Sequence, residues 1–475
     1  MIRATRAAAA VVAAFCFLLA VSVAGEVKTG EYVNDNFLRT LYIDGRNVRA
    51  TYTIKTTVPD KKSPYLVYVP RDKPIYHVAA VLNANPVEVE QFLDTDLDQQ
   101  IIKLVIPEEF KPKDPLSLVV TMVFPHSYVA FPKEVPQGQQ QSFIFNTTAY
   151  ASSPYLTKKQ KLMIKTGGKQ VKSYSETPGN VQKGDVLISY GEYENIESQQ
   201  SLAIVSDGDA ANSNPLVSVH LVNTNTPLTA TMYKRYIEVS HWGDACSFED
   251  HIDLRHDGAL LHGQYSRVDA QMNRKPLDNT GVENHFEVKI PRSAYEVYYR
   301  DLVGNVTTSH LSQRGNFQLL ELRPRFPMFG GWRYQWHHGY TQPLHEVLRI
   351  HAKDTYILKV PLFDSGRDWT YEDVWVQILL PEGAVVEEIT LPPDWADSGE
   401  VTTGTVATYL DWTGRSAIWI RKTQVVDEHA ADVYIAYKLN WWGLARKPLV
   451  VAEALMMLFG ANMALSNIDF SISRS

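Results

Sequence analysis

Cysteine is nearly absent: two residues in 475. Cys16 falls in an N-terminal stretch that reads as a secretory signal, so the mature chain keeps Cys246 alone and no intrachain disulfide can form. Stability in an oxidising compartment must then come from large cores rather than a thiol framework. Cys246 is either buried and inert or bridges to another chain. Long runs of one charge are also missing. Lys and Arg number 46 against 53 Asp and Glu, a net charge of -7 with no basic patch, which excludes an electrostatic footprint for nucleic acid.

The common catalytic motifs are absent as well. There is no G-x-S-x-G, no G-x-G-x-x-G, no H-E-x-x-H and no paired C-x-x-C, and Gly167-Gly168-Lys169 is followed by Gln170 where a phosphate loop needs Ser or Thr. Candidate calcium loops beginning at Asp94 and Asp207 place Val105 and Ser218 where a bidentate Glu is required. The most suggestive cluster is His241, Asp244, Cys246, His251, Asp253, His256 and His262, with His337-His338 as a weaker one. On a strand His251 and Asp253 would share a face, but the spacing matches no metal-site pattern. The expectation is therefore no catalytic residue, no cofactor and no metal in this chain. A third reading is a lumenal metallohydrolase built on the histidines.

Apolar material is plentiful: 45 % hydrophobic residues, with 17 Phe, 25 Tyr and 10 Trp. The length is about three times a typical ~150-residue domain, so two or three folded units are expected. Arg3 and Arg6, the apolar stretch Ala7 to Val23 and the small residues Ser22-Val23-Ala24 form a signal peptide, residues 1–24, with an uncleaved anchor as the alternative. Asn146-Thr147-Thr148 and Asn305-Val306-Thr307 are glycosylation sequons, which makes Asn146 and Asn305 candidate glycan carriers on lumenal surface loops.

Pro448 to Leu465 contains only Glu453 and Asn462 as strongly polar members. At 1.5 Å per residue it reaches roughly 27 Å, close to a hydrocarbon core. A transmembrane helix over 448–467 follows, with a short cytosolic tail at 468–475 and Trp441-Trp442 at the interface. Arg446 and Lys447 sit on the lumenal flank, against the positive-inside tendency. Glu453 either snorkels to the interface or meets a polar partner on another membrane helix. A terminal core helix of a soluble protein is the alternative to spanning.

Between these signals, strands dominate. Apolar residues alternate over Leu116 to Phe124, Val217 to Leu221, Tyr356 to Leu362 and Val433 to Leu439, with turn signals at Asp44-Gly45, Pro178-Gly179-Asn180, Asp207-Gly208-Asp209 and Pro381-Glu382-Gly383. Helices are expected only over Thr157 to Lys165 and Gly258 to Gln271. No sustained short-period repeat is visible. The fold class is mainly β: two lumenal antiparallel β-sandwich-like domains, residues 25–230 and 231–447, followed by one C-terminal transmembrane helix.

Several blocks carry a family likeness: Ser240-His241-Trp242-Gly243, His256-Asp257-Gly258-Ala259, Tyr265-Ser266-Arg267, Tyr298-Tyr299-Arg300-Asp301 running into Gly304-Asn305-Val306-Thr307-Thr308-Ser309-His310, Arg323-Pro324-Arg325-Phe326-Pro327-Met328-Phe329-Gly330-Gly331-Trp332, and Asp469-Phe470-Ser471-Ile472. Together they resemble the ribophorin I family, densely in the second half and in architecture only in the first. The resemblance implies a non-catalytic subunit of the oligosaccharyltransferase of the endoplasmic reticulum membrane, the dolichyl-diphosphooligosaccharide–protein glycosyltransferase complex. It implies a single-pass type I topology with the bulk lumenal. The implied partners are a catalytic multi-spanning subunit that holds the metal, small membrane subunits and nascent polypeptides. Asn305 matches a family sequon. Animal members continue past the Asp-Phe-Ser-Ile block into a cytosolic domain, whereas this chain stops after Ser475, which puts a ribosome-facing role in doubt. Arg323, Arg325, Phe326, Phe329 and Trp332 have the composition of an interface hot spot or of a packing corner, and Glu453 is a sixth interface candidate. The alternative function is a stand-alone membrane-anchored glycan-binding or adhesion sandwich.

Overall fold

The computed structural model describes residues 32–467 except 60–62, 71–72, 95–98, 108, 112, 177–179, 198–213, 273, 275–276, 353, 365–366, 409–410 and 412. The signal segment with Cys16, the loops around Pro178 and Asp207, residues 95–98 of the Asp94 loop, the Asp469 block and the tail lie outside the described residues.

Strands of the first half are β1 (Val33–Tyr42), β2 (Val48–Thr57), β3 (Tyr65–Pro70), β4 (His77–Leu82), β5 (Asn85–Val87), β6 (Val89–Asp94), β7 (Gln99–Leu104), β8 (Pro115–Phe124), β9 (Tyr128–Ala130), β10 (Glu134–Pro136), β11 (Ser142–Thr148), β12 (Leu156–Lys165), β13 (Val171–Tyr174), β14 (Val181–Lys183), β15 (Leu187–Ile196) and β16 (Leu216–Val222). The second half contributes β17 (Leu228–Ser240), β18 (Ala245–His256), β19 (Leu260–His262), β20 (Phe286–Pro291), β21 (Tyr295–Asp301), β22 (His310–Arg314), β23 (Phe317–Leu322), β24 (Arg333–Pro343), β25 (Leu348–Ala352), β26 (Thr355–Pro361), β27 (Thr370–Glu382), β28 (Val385–Thr390), β29 (Glu400–Val406), β30 (Arg415–Val426) and β31 (Asp432–Lys438). The helices are α1 (Arg267–Gln271), α2 (Leu344–Val347), α3 (Pro393–Ala396) and α4 (Trp441–Ser466).

The alternating runs lie in strands, as period two requires. In β8 Leu116, Leu118 and Val120 are buried between exposed or partly exposed neighbours, and the strand ends in a buried run, Met122, Val123 and Phe124. The two expected helices are corrected. Residues 157–165 are β12, inserted between β1 and β15, where Gln160, Leu162 and Ile164 point inward and pairing on both edges overrides helix-favouring Lys, Leu and Met. Of residues 258–271 only α1 is helical. Gly263 takes φ +84 and breaks the segment, and Ser266 caps the short helix by accepting from the Asp269 N–H at 3.2 Å.

Two separate cores form. One gathers buried residues from Tyr32 to Leu221, the other from Leu228 to Leu439. They are two copies of one strand plan. The large sheet of the first unit runs β14-β15-β12-β1-β2-β8-β4, with β5 added at the edge; that of the second runs β29-β30-β27-β17-β18-β24-β21. Each small sheet repeats the other, β13-β16-β11-β9 against β28-β31-β26-β25, and so do the three-stranded sheets β3-β7-β6 and β20-β23-β22. Even the parallel pair recurs, β1 with β12 and β17 with β27, so the large sheets are mixed rather than purely antiparallel. The two copies share little sequence, which is why the chain shows no repeat.

The β1–β2 turn of the first unit joins the second. Arg46 and Asn47 donate backbone N–H groups to Asp368 Oδ2 at 2.7 and 3.3 Å, Arg49 pairs with Asp368 and Glu428 at 2.7 and 2.8 Å, and Arg46 reaches Glu283 at 2.7 Å. The contact between the units is therefore polar here, and salt should weaken it where it meets solvent.

Burial in the second unit includes histidines kept neutral. Desolvation drives His338 and His429 down to about 3, each from an ordinary value near 6.5. Between those values the unfolded chain binds protons that the folded chain does not. Stability should therefore fall as pH drops below about 6.5, by about 1.4 kcal/mol per pH unit for each such histidine. Asp250 acts in the same direction at lower pH. Burial opposes its charge, but the Arg235 ion pair keeps its carboxyl below the usual range, so its contribution is lost as pH falls through that depressed value. Thermal unfolding from pH 7.5 to 5.0 checks this; a melting temperature that stays flat or rises on acidification contradicts it.

Candidate functional site

The membrane-proximal end of the second unit is built around the first turns of α4. Asn440 caps the helix, its side chain accepting from the Gly443 N–H at 3.0 Å. From this extended cap the helix begins at Trp441, seven residues ahead of Pro448, so the stretch expected to span from 448 is the outer part of a longer helix. Pro448 has no N–H, so the Leu444 carbonyl loses its partner four residues on. The Trp242 indole N–H fills that vacancy at 2.8 Å. Gly443 packs against Gly383, where a Cβ on Gly383, itself at φ +78, would come within 2.9 Å of the Gly443 Cα. Arg446 donates to Thr413 Oγ1 at 2.7 Å and Lys447 pairs with Asp411 at 3.0 Å. These two cations, which oppose the positive-inside tendency, are used to pin the helix to the β unit.

Beyond this junction α4 is an exposed apolar rod, long and apolar enough to cross a membrane. Trp441 and Trp442 stack at 4.3 Å and are exposed at its base, the position interfacial indoles favour. Glu453 lies on the exposed rod. Counting along the helix, Glu453, Met457, Gly460 and Ala464 share one face.

Asn305 sits in the turn after β21, exposed. Asp301 accepts from the Val303 and Gly304 N–H groups at 2.9 and 3.0 Å, and Arg325 clamps the turn by pairing with Asp301 and donating to the Gly304 and Asn305 carbonyls at 3.3 and 3.1 Å. Burial would raise the Asp301 carboxyl, but Arg325 and the backbone N–H groups hold it below its ordinary value. Arg300 donates to Asn305 Oδ1 at 2.8 Å, which orients the amide. Asn146, by contrast, lies in mid-β11 rather than in a loop. It pairs with Ser218 across the ladder, and Ser218 Oγ donates to Asn146 Oδ1 at 2.8 Å.

The 323–332 block divides. Phe329 is buried and Trp332 half-buried, packed on one another at 5.1 Å and on Tyr265, so these two serve the packing corner. Arg323, Arg325 and Phe326 stay at the surface and, with Tyr265 and Thr308, line an open depression of about 640 Å³.

His251 and His337 stack at 4.9 Å across the β18–β24 pair, but His241, His256 and His262 stand apart. His241 contacts the Tyr437 hydroxyl at 2.8 Å, His251 contacts Glu249 at 2.5 Å, His256 lies buried against Thr226 and the Gly281 carbonyl, and His262 meets Glu134 at 3.0 Å. Among the described residues no group of three or more His, Cys, Asp or Glu side chains could hold a metal ion. Asp253 is bound instead to Gln335, and the Asp244 backbone carbonyl accepts from the Leu344 N–H while its carboxylate lies near His241. Cys246 is fully buried, its thiol pushed up to about 12 by desolvation. That is the inert alternative of the two considered.

The ribophorin I family model matches residues 32–466, from the first described residue through the end of α4. The chain belongs to the ribophorin I family. Curated relatives include the dolichyl-diphosphooligosaccharide–protein glycosyltransferase subunit 1 of Caenorhabditis elegans, 33 % identical over 72 % of this chain and 55 % of that protein. The Arabidopsis thaliana subunit 1A is 29 % identical over 79 % of this chain and 58 % of its own length. The Oryza sativa subunit 1B is 26 % identical over 89 % and 82 %. The chain spans little more than half the length of the first two. In this ribophorin I family member, the family match takes in both β units and the membrane helix together.

Sequence reasoning singled out the block containing Trp242, but not the role of the indole. Pro448 becomes a signal only once the helix is known to start at Trp441, since its missing N–H then leaves one carbonyl for a donor from elsewhere.

Proposed function

We propose that this chain is a non-catalytic, single-pass subunit of the oligosaccharyltransferase of the endoplasmic reticulum membrane, with both β units on the lumenal side. It holds the complex together and presents acceptor polypeptides to a catalytic multi-spanning subunit, which carries the metal. Asn305 is the favoured glycan carrier of the chain itself, because its amide stands on an exposed, clamped turn.

The observation that carries this reading is the shared helix face of Glu453, Met457, Gly460 and Ala464. A carboxylate in hydrocarbon is costly unless a donor meets it, and small residues four apart let a second helix approach closely. Because α4 is pinned to the β unit at Trp242, Gly383, Arg446 and Lys447, a partner that grips the helix also orients the lumenal surface.

The test is co-purification in mild detergent. Glu453→Leu and Gly460→Leu should each reduce recovery of the multi-spanning subunit at least about fivefold, roughly 1 kcal/mol or more, with the protease resistance of the lumenal units unchanged. Full recovery with both substitutions would show that this face does not hold the complex. Absence of transferase subunits from the wild-type preparation would remove the reading altogether.

A further inference from the structure

The duplicated strand plan allows each position of one unit to be compared with its counterpart in the other. Arg39 on β1 and Arg235 on β17 are counterparts. Arg39 stands opposite Tyr52 on β2 and beside Leu162 on the parallel strand β12; Arg235 stands opposite Asp250 on β18 and beside Val376 on the parallel strand β27. The apolar neighbours agree as well, Phe37 and Leu41 in one unit and Tyr233 and Ile237 in the other, all buried. Both arginines are buried, yet among the described residues only Arg235 has a counter-ion. Asp250 receives Arg235 Nε and Nη2 at 2.7 and 2.6 Å. At the same place in the first unit stands Tyr52, with the Arg39 guanidinium 5.6 Å from its ring centre.

Arg39 is 5 % exposed, and among the described residues it makes no ion pair. Its Nη1 donates to the Thr148 carbonyl at 2.9 Å and its Nη2 to Thr147 Oγ1 at 2.6 Å, while Nε has no hydrogen-bond partner. Those bonds tie β1 to β11 across the sandwich but leave the charge uncompensated, and a buried cation without a counter-ion is costly. Beside it the two sheets part to leave a cavity of about 320 Å³ walled by Leu41, Val48, Tyr52, Val69, Phe124 and Phe145. Among the described residues no Asp or Glu lines this cavity, and Lys73 adds a second cation at its wall.

We propose that this inter-sheet cavity binds an apolar ligand that ends in a carboxylate or a phosphate, with the anion seated on Arg39 as Asp250 is seated on Arg235. The apolar walls take the body of the ligand and exclude water, which strengthens the charge-assisted bonds at the head. Lys73 supplies long-range attraction for the anion. The site is chemically distinct from the membrane face of α4 and stands whether or not that face docks a partner.

The experiment is calorimetric titration of the full chain in lipid nanodiscs, with empty nanodiscs subtracted, using 4-phenylbutyrate, 4-phenylbutyl phosphate and the neutral 4-phenylbutan-1-ol. At least one anion should saturate and bind at least about tenfold more tightly than the alcohol. The head group that binds more tightly identifies carboxylate or phosphate as the natural end. Tyr52→Asp supplies an internal carboxylate at the Asp250 position and should reduce anion affinity at least about tenfold, as should Arg39→Met. Lys73→Met should give a smaller loss. Equal affinity for alcohol and anions, saturation by neither anion, or full affinity in folded Tyr52→Asp would overturn the proposal. The comparison of anion with alcohol uses wild-type protein, so it decides the matter even where a variant folds poorly.

Discussion

Asp250→Ala should lower the stability of the protein by about 3–5 kcal/mol, because it strands the Arg235 guanidinium in the second core. Both partners are 2 % exposed and joined by two parallel bonds. With the carboxylate gone, Arg235 keeps among the described residues one hydrogen bond, to the Pro361 carbonyl at 3.2 Å, and the nearby Asp364 is already paired with Arg367. Nearby His338 cannot substitute, since burial keeps it neutral and an uncharged imidazole supplies no counter-ion. The double variant Arg235→Met with Asp250→Leu removes both charges and should be markedly milder, because neither desolvated ion remains. Denaturant unfolding followed by tryptophan fluorescence checks the pair. Equal losses in the single and double variants would mean that the cost comes from packing rather than from the orphaned charge.

Gly330→Ala is the second substitution with a large expected effect, for a steric reason. A Cβ at Gly330 would stand 2.0 Å from the Ala259 carbonyl oxygen and 2.4 Å from its carbon. These are backbone atoms, held by the Leu260 to Gly330 bridge and by the Gly331 N–H donating to His256 at 2.8 Å, so no side chain can swing aside. The 323–332 loop must lift off the second unit, at a cost of about 3 kcal/mol or more. Gly315 is the control. It occupies a left-handed turn at φ +59 with nothing within 4 Å of the added Cβ, so Gly315→Ala should cost only about 1 kcal/mol. Melting temperatures of the two variants measure the contrast. Similar values for both would mean that the loop yields freely.

The strands were legible wherever one face is buried and the other wet. The alternation in β8, β16, β26 and β31 is a direct image of that two-sided environment. It failed for β12, whose Lys-rich first half hides the pattern and whose place between two neighbours only the sheet decides. The membrane helix was legible from composition, and its earlier start from Asn440 was not, because a cap is recognised only once the chain direction before it is known. Of the candidate interface residues, local sequence could not tell that Phe329 turns inward while Phe326 stays at the surface.

Composition and patterning by themselves determined a mainly β chain without a disulfide framework, a C-terminal apolar span and a carboxylate within it. These properties are local or additive: each depends on a residue and its near neighbours in the chain. Tertiary structure alone decided that Arg39 and Arg235 are counterparts, that Asp250 neutralises one and not the other, and that Asp368 receives a turn more than 300 residues away. Those facts depend on strand register and on contacts between remote segments. Register follows from the simultaneous burial of whole sheet faces, and no short window of sequence contains that condition.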